Sequence, residues 1–512
     1  MNELRRRAVP VCLIFLLLIL SGDVLQSATK KKARRRAPAR RRATAAAPQP
    51  VATAQGATLE ARLQSLLNSS VATGSIASVQ IADVETGRVI GERNPDLLVA
   101  PASNMKLFTT AAALDLLKPT FELTTSVYMR GTVDKTGTLR GDVKVVGGGD
   151  PTIGGRFHDG KATAVIEEWA RELKKQGINA IAGNLIFEFG YMDTEYIHPT
   201  WPVDQLVNWY EAPISAFTMQ EGCVMVRILP SKAGQRAIVQ LEPPNTHVTV
   251  ENSCVTGGGR GIFVTRMLGT NHVIVRGGVP VRSGNSDIYV TIMNPIDYFA
   301  NVTAGVLQAD GIRVGGQIQL VPRDPRPDWK LVAQHKTPLP IINYVINKKS
   351  QNHYAEELIK IIGAEVKKNG SWKGGSAAIS EWLETRVKVN PSQIQQIDGS
   401  GMSRFNRVTS HAFIDLLRYM WKSPYRGEFL SSMPYSGEPD SRLKHRLNQA
   451  PYARQVYAKT GYIVGVVGLS GYVHAQSGKV YAFSFLFNKY HTGVWGVYRL
   501  QEELLKEVIK GG

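Results

Sequence analysis

Two stretches of helical periodicity bracket a long middle block, residues 123–324, that reads as strands, glycine turns and proline. Neither flank holds enough elements to close a core alone, so the economical fold is one α/β domain, residues 57–122 and 325–512, split by a β-rich insertion. In the first flank, Ser75 to Ile81 and Val89 to Ile90 alternate like paired strands, and Leu107, Phe108, Ala111, Ala112, Leu114 and Leu117 recur at helical spacing up to Pro119. Within the block, strand patterns recur from Thr124 to Met129 through Ile288 to Ile292, interrupted by one clear helical stretch from Ala162 to Gln176. The insertion is expected to comprise two parts, the inner one near residues 213–285. Helical spacing resumes from Asp297 to Gln308 and dominates from Ile341 to Val366 and from Ser376 to Val387; strand patterns follow at Gln455 to Thr460, Leu469 to His474 and Val480 to Phe487, before a last helical stretch from Val494 to Lys510.

The first 56 residues have a different texture. Arg5, Arg6 and Arg7 precede an apolar run from Ala8 to Leu20, and small or polar residues surround Ser27 and Ala28, which reads residues 1–28 as a secretory signal peptide. The run is too short to span a bilayer, which needs roughly 18–20 apolar residues. Cys12 lacks small residues before it, which argues against a lipoprotein anchor. Residues 29–56 alternate Lys and Arg with Ala and Pro and are expected to form a disordered, solvated tether. The first 50 residues carry 12 Lys and Arg against Glu3 and Asp23, so about half of the net charge of +19 lies there. Behind an export signal the counterions for such an arm are anionic lipids or wall polymers, not nucleic acid, and a plain spacer is the simplest role. An extracytoplasmic or periplasmic location follows. Only Cys223 and Cys254 remain beyond the leader; an oxidising compartment permits a disulfide between them, and two separate buried thiols fit equally well. Neither C-x-x-C nor H-E-x-x-H occurs, and neither a metal nor a cofactor is expected.

Three short patterns then appear in order: Ser103-Asn104-Met105-Lys106, Ser350-Gln351-Asn352 and Lys459-Thr460-Gly461. A Ser three residues before a Lys arises by chance about once or twice in a chain of this length, so the first pattern alone is weak. At a helix start, however, Ser103 and Lys106 lie one turn apart on one face, where the lysine can reach the hydroxyl. An alcohol becomes a nucleophile when a base takes its proton. Lys serves only if its pKa falls from about 10.4 to near neutrality, at a cost of about 4 kcal/mol, which burial and a second cation such as Lys459 can impose. The backbone N–H of Ser103 is free to stabilise an oxyanion. Ser350 can pass protons from a turn between two helical stretches, and Asn352 can hold a substrate amide. Lys459 and Thr460 can receive a carboxylate, and Gly461 on a strand edge leaves room for a peptide to pair. Taken singly, each pattern also fits a helix cap or an exposed lysine beside a turn. Gly147 to Gly149 and Gly257 to Gly261 precede no helix ending in Lys-Ser or Lys-Thr and read as turns, not phosphate cradles.

The three patterns match S-x-x-K, S-x-N and K-T-G, and the chain resembles the low-molecular-mass class C penicillin-binding proteins, D-alanyl-D-alanine carboxypeptidases and endopeptidases of peptidoglycan. Gly149-Asp150-Pro151, the run from Asp398 to Arg404 and the long gap between Lys106 and Ser350 extend the resemblance over residues 57–512. It implies a β-lactamase/transpeptidase-like domain, an antiparallel sheet with flanking helices, interrupted by the insertion. It further implies that Ser103 is acylated, Lys106 is its base, Ser350 relays the proton to the leaving D-alanine and Asn352 positions the peptide. Lys459 and Thr460 would bind the terminal carboxylate, and the N–H groups of Ser103 and Tyr462 would form the oxyanion hole. Tyr462 stands where the family often carries a small hydroxyl residue, which keeps the backbone donor but alters the pocket. Arg404 matches the residue that contacts a side-chain carboxylate of the substrate, and Glu188 the acidic residue of the insertion that meets the diamino-acid amine. The implied partners are peptidoglycan stem peptides, with β-lactams as inhibitors. Two rivals remain: a serine β-lactamase, which would release penicillin rapidly, and a catalytically idle wall-binding protein.

Overall fold

Strand Ile76–Asp83 from the first flank pairs antiparallel with strand Val480–Asn488 near the C-terminus, in register Ala77 with Phe487 and Ile81 with Phe483. The two flanks therefore share one sheet, as the expectation of a split α/β domain requires. The computed structural model describes residues 56–259 and 261–512. The expected signal peptide and nearly all of the tether lie outside these residues.

The shared sheet has five antiparallel strands in the order Val456–Ile463, Val466–His474, Val480–Asn488, Ile76–Asp83, Val89–Arg93. Both of its faces are covered. Phe483, Phe485 and Phe487 pack with Leu63, Leu67, Leu504, Leu505 and Val508 of the helices Leu59–Leu67 and Gly493–Gly511. Ala82, Tyr472, Ala482 and Leu486 join the core of the helical layer on the opposite face. A strand buried on both faces loses the in–out alternation and reads as a continuous apolar run, which is why Val480 to Phe487 stands out in the sequence.

At the centre of the helical layer lies helix Lys106–Leu116, buried from Lys106 to Asp115. Helices Leu339–Lys348, Asn352–Lys367, Trp372–Trp382 and Ser410–Lys422 contribute to the same core. A helix surrounded on all sides needs apolar or internally satisfied residues throughout its circumference, and Leu107, Phe108, Ala111, Ala112, Ala113 and Leu114 supply them. Phe108 stands edge-on to Phe413, with ring centroids 4.8 Å apart.

The insertion is built on a seven-stranded sheet whose first long strand, Glu122–Val133, pairs antiparallel with its last, Lys330–Pro338. That sheet therefore extends beyond residue 324. Helices Ala164–Lys175 and Pro295–Ala309 contribute to its core through Trp169, Leu173, Phe299 and Leu307. Farther out, strand Cys223–Leu229 pairs with Ser286–Thr291 and Ile238–Glu242, and a four-stranded sheet includes Ile262–Arg266 and His272–Val279. Cys223 and Cys254 are both free and buried, so the two-thiol alternative is the one adopted.

The Phe108→Ala substitution is expected to lower stability by about 3–5 kcal/mol, through lost burial and the cavity left in a helix that cannot shift. Denaturant unfolding would read this as a lower midpoint at an unchanged slope.

Candidate active site

Ser103 sits in a 3-10 turn, Ala102–Met105, that leads directly into helix Lys106–Leu116. Three glycines let neighbouring segments close on this turn. A Cβ at Gly461 would lie 2.5 Å from Asn104 Nδ2 and 2.7 Å from Pro101 O, and one at Gly468, its partner in register, 2.0 Å from Asn104 Nδ2. At Gly401, where φ is +84°, a Cβ would lie 1.9 Å from Ala102 O. Side chains at these positions would push the Ser103 turn away from both the K-T-G strand and the loop that begins at Asp398.

The Lys106 side chain is fully buried, with its Nζ 3.1 Å from Ser103 Oγ, 2.7 Å from Asn352 Oδ1 and 2.8 Å from the Ser400 carbonyl. Burial lowers its pKa to about 7, although the negative charges of Glu356 and Asp398 oppose the shift. The neutral amine can donate to Asn352 and to Ser400 and still offer its lone pair to the Ser103 hydroxyl. The cap-and-surface-lysine alternative is excluded, because the Ser103 side chain makes no capping bond and Lys106 is not at the surface.

A second amine completes the group. Lys459 is also fully buried, with Nζ 2.7 Å from Ser350 Oγ and 2.8 Å from Thr460 O. Burial, then the charges of Lys106 and Arg442, hold its pKa well below the usual lysine range. Ser350 has φ +58° on the turn between helices Leu339–Lys348 and Asn352–Lys367. This left-handed backbone is uncommon for a residue with a Cβ, and here it accompanies a hydroxyl that faces Lys459 instead of capping a helix.

Asn352 opens the second of these helices, and its Nδ2 donates to the carbonyl of Tyr210, 3.0 Å away in the insertion. One turn later, Glu356 accepts from Gly399 N, Ser400 N and Trp372 Nε1 at 3.0, 2.7 and 2.7 Å. Burial and the nearby Asp398 push Glu356 up to about 7, against these three donors, which favour its charged form. Asp398 accepts from Trp201 Nε1, Gly401 N, Ser403 N and Asn406 Nδ2. Glu356, Asp398 and Tyr210 thus hold the loop and side chain that hold Lys106. The motif reading gave none of them a role, although Glu356 follows Asn352 at helical i,i+4 spacing, which was a usable signal.

Strand Val456–Ile463 is one edge of the five-stranded sheet. Ala458 N donates to Pro434 O at 2.9 Å, and Tyr435 bridges Tyr457, so the first half of the edge is covered. With a period of two, the N–H groups of Thr460 and Tyr462 face the same outer side. Thr460 and Tyr462 share one strand face, opposite Lys459 and Gly461, and Tyr462 is 51% exposed. Arg404 is exposed at the rim and donates to Val464 O at 3.2 Å, on the turn that follows the K-T-G strand.

The Glu188 carboxylate accepts from Lys144 Nζ at 3.0 Å and Asp324 N at 3.1 Å, both in the insertion. Glu188 pairs in register with Val146, which makes Lys144 its diagonal cross-strand neighbour, a relation visible only once strands are paired.

The sequence profile of the D-Ala-D-Ala carboxypeptidase 3 (S13) family matches residues 59–495. A D-alanyl-D-alanine carboxypeptidase from an Actinomadura species is 31% identical over 448 residues, covering 84% of this chain and 81% of its own length. The D-alanyl-D-alanine carboxypeptidase DacB of Haemophilus influenzae is 24% identical over 436 residues, covering 83% of this chain and 88% of its own. In fold, the crystal structure of penicillin binding protein 4 (dacB) from Haemophilus influenzae superposes with a TM-score of 0.75 at 23% identity, over 88% of this chain and 99% of that one.

If Lys106 must be neutral to accept a proton, the reactivity of Ser103 toward a small acylating reagent rises with pH and levels off above a midpoint of about 7. Adduct formation timed by intact mass at a series of pH values checks this, and Lys106→Gln is expected to abolish the rise.

Proposed function

The chain belongs to the D-Ala-D-Ala carboxypeptidase 3 (S13) family, and from that membership together with its leader sequence we propose that it is exported and cleaves peptidoglycan D-Ala-D-X bonds, as carboxypeptidase and endopeptidase, through an acyl-enzyme on Ser103. The coarser identity needs no proposal: it is a low-molecular-mass class C penicillin-binding protein and a serine-type D-Ala-D-Ala carboxypeptidase.

The observation that carries the mechanism is the pair of contacts Lys106 Nζ to Ser103 Oγ and Lys459 Nζ to Ser350 Oγ, each made by a buried amine. Neutral Lys106 takes the Ser103 hydroxyl proton while Oγ attacks the carbonyl carbon of the penultimate D-alanine. The N–H groups of Ser103 and Tyr462 receive the oxyanion. As the intermediate collapses, the C–N bond breaks and a proton reaches the leaving amine by way of Ser350, whose hydroxyl is replenished from the lysine side of the network. Water then cleaves the ester with Lys106 again as base, which restores Ser103. Lys459 and Thr460 receive the terminal carboxylate, the peptide pairs along the open half of the strand edge, and Arg404 at the rim takes a side-chain carboxylate.

Export rests on the leader sequence. Among the described residues no helix is long and apolar enough to cross a membrane. The basic tether serves as a spacer or as a contact with an anionic wall or membrane surface, and β-lactams act as mimics of the D-Ala-D-X bond.

Incubation with benzylpenicillin followed by intact mass spectrometry tests the reading. A long-lived adduct on Ser103 is expected, and it is absent in Ser103→Ala. D-alanine release from a pentapeptide should fall by about 10⁴-fold or more in that variant. An adduct lost within seconds would assign the chain as a β-lactamase, and undiminished labelling of Ser103→Ala would remove the mechanism.

A further inference from the structure

Between Ser350 and Asn352, whose side chains meet the two lysines, Gln351 lines an open cavity of about 530 Å³ whose other walls come from the insertion. Arg156, Trp209, Gln220, Glu221 and Tyr289 line it as well, and none of the residues assigned to the chemistry does. Gln351 is 3% exposed; its Nε2 donates to Glu221 Oε2, and its Oε1 has no partner. A buried amide oxygen without a donor carries the desolvation cost of an unmade hydrogen bond.

The other walls define what that ligand is. Trp209 and Tyr289 are large aromatic residues left 41% and 45% exposed, held side by side because Asn208 bridges Val290 in the strand that carries Tyr289. Arg156 and Glu221 form a two-pronged ion pair, with Nη2 to Oε2 at 2.9 Å, so the cavity offers donors and acceptors without a net charge to attract phosphate. Gln220 and Glu221 adopt φ of +51° and +59°, followed by Gly222 at +71°. Backbone of this kind, in residues with a Cβ, is held in place by its surroundings and concentrates at ligand sites. Gln220 is anchored there by Gly155 N donating to its Oε1 at 2.7 Å and by its own N–H donating to Ile153 O at 2.9 Å.

Flat aromatic surfaces beside planar carboxylate, guanidinium and amide groups suit a pyranose ring, whose faces are apolar C–H and whose rim is hydroxyl. We propose that this cavity is a subsite for an N-acetylated amino sugar, the glycan end of the muropeptide whose stem peptide reaches Ser103. The choice of sugar rests on the peptidoglycan reading above. Because Gln351 shares its turn with Ser350 and Asn352, an occupied subsite is linked through that turn to the two lysines.

The test uses the full chain and two readouts. Ser103→Ala is titrated calorimetrically with N,N′-diacetylchitobiose, and saturable binding is expected that weakens about tenfold or more when Tyr289→Ala is added. In the otherwise native chain, kcat/KM for a disaccharide-pentapeptide should exceed that for the bare pentapeptide by about tenfold, and Tyr289→Ala should erase the advantage while leaving the bare-peptide rate unchanged. Tyr289→Thr, which keeps strand preference, serves as a second variant. No chitobiose binding together with equal rates on the two substrates would overturn the proposal. So would a Tyr289-dependent site that binds bare peptide and not sugar. Failure to hydrolyse either substrate, with sugar binding intact, would instead count against the carboxypeptidase mechanism and leave the subsite standing.

Discussion

Two lysine side chains removed from water, each without a carboxylate in contact, are the constraint around which the domain is arranged. Lys106 and Lys459 bond only to hydroxyl, amide and backbone oxygens, and the charge of Lys106 further lowers the proton affinity of Lys459. An ammonium in such a place is costly, and the chain meets the cost by releasing protons, which is what a base requires. The acids that could have cancelled this, Glu356 and Asp398, are held one layer away by N–H donors of their own. They moderate the field at Lys106 without forming an ion pair with it. The close approach at Gly461, Gly468 and Gly401 and the complete burial of the helix that begins at Lys106 are the packing conditions of that arrangement.

The insertion takes part in this layer. Tyr210 supplies the carbonyl that fixes the Asn352 amide, and with it the orientation of the Asn352 oxygen toward Lys106. Trp201, also from the insertion, donates to Asp398 and packs in the helical core. The two flanks therefore do not fix the surroundings of Lys106 unaided. Two hydrogen bonds from residues far outside the motifs complete them, and the inserted block lies between the motifs in sequence and against them in space.

Much of this was legible because the strongest signals were also the most buried. Val480 to Phe487 and Leu469 to His474 read as strands and are strands, since both faces of that sheet are covered and their composition is unambiguous. The residues around Ser103 were legible because each motif sits at an element boundary, where its chemistry has a geometric reason. What escaped was whatever depends on pairing. Ala180–Ile181 and Arg313–Val314 are two-residue strands with no periodicity to detect. Lys330–Pro338 is mostly exposed or half-buried, and its identity comes from its partner Glu122–Val133. The pairing of Glu188 with Lys144 across the sheet was likewise invisible before the strands were paired.

The half-covered border of the sheet has a consequence for how the protein behaves in a crowd. An unpaired strand border is a template for polymerisation with other chains. On the Val456–Ile463 border the segment up to Ala458 is already occupied by Pro434 and Tyr435, which leaves the stretch around Thr460 and Tyr462 available there. That opening accommodates a short chain end but gives a whole strand from a neighbouring molecule too few rungs to grip. The protein can keep a permanently adhesive surface because it has made that surface too small for its own kind.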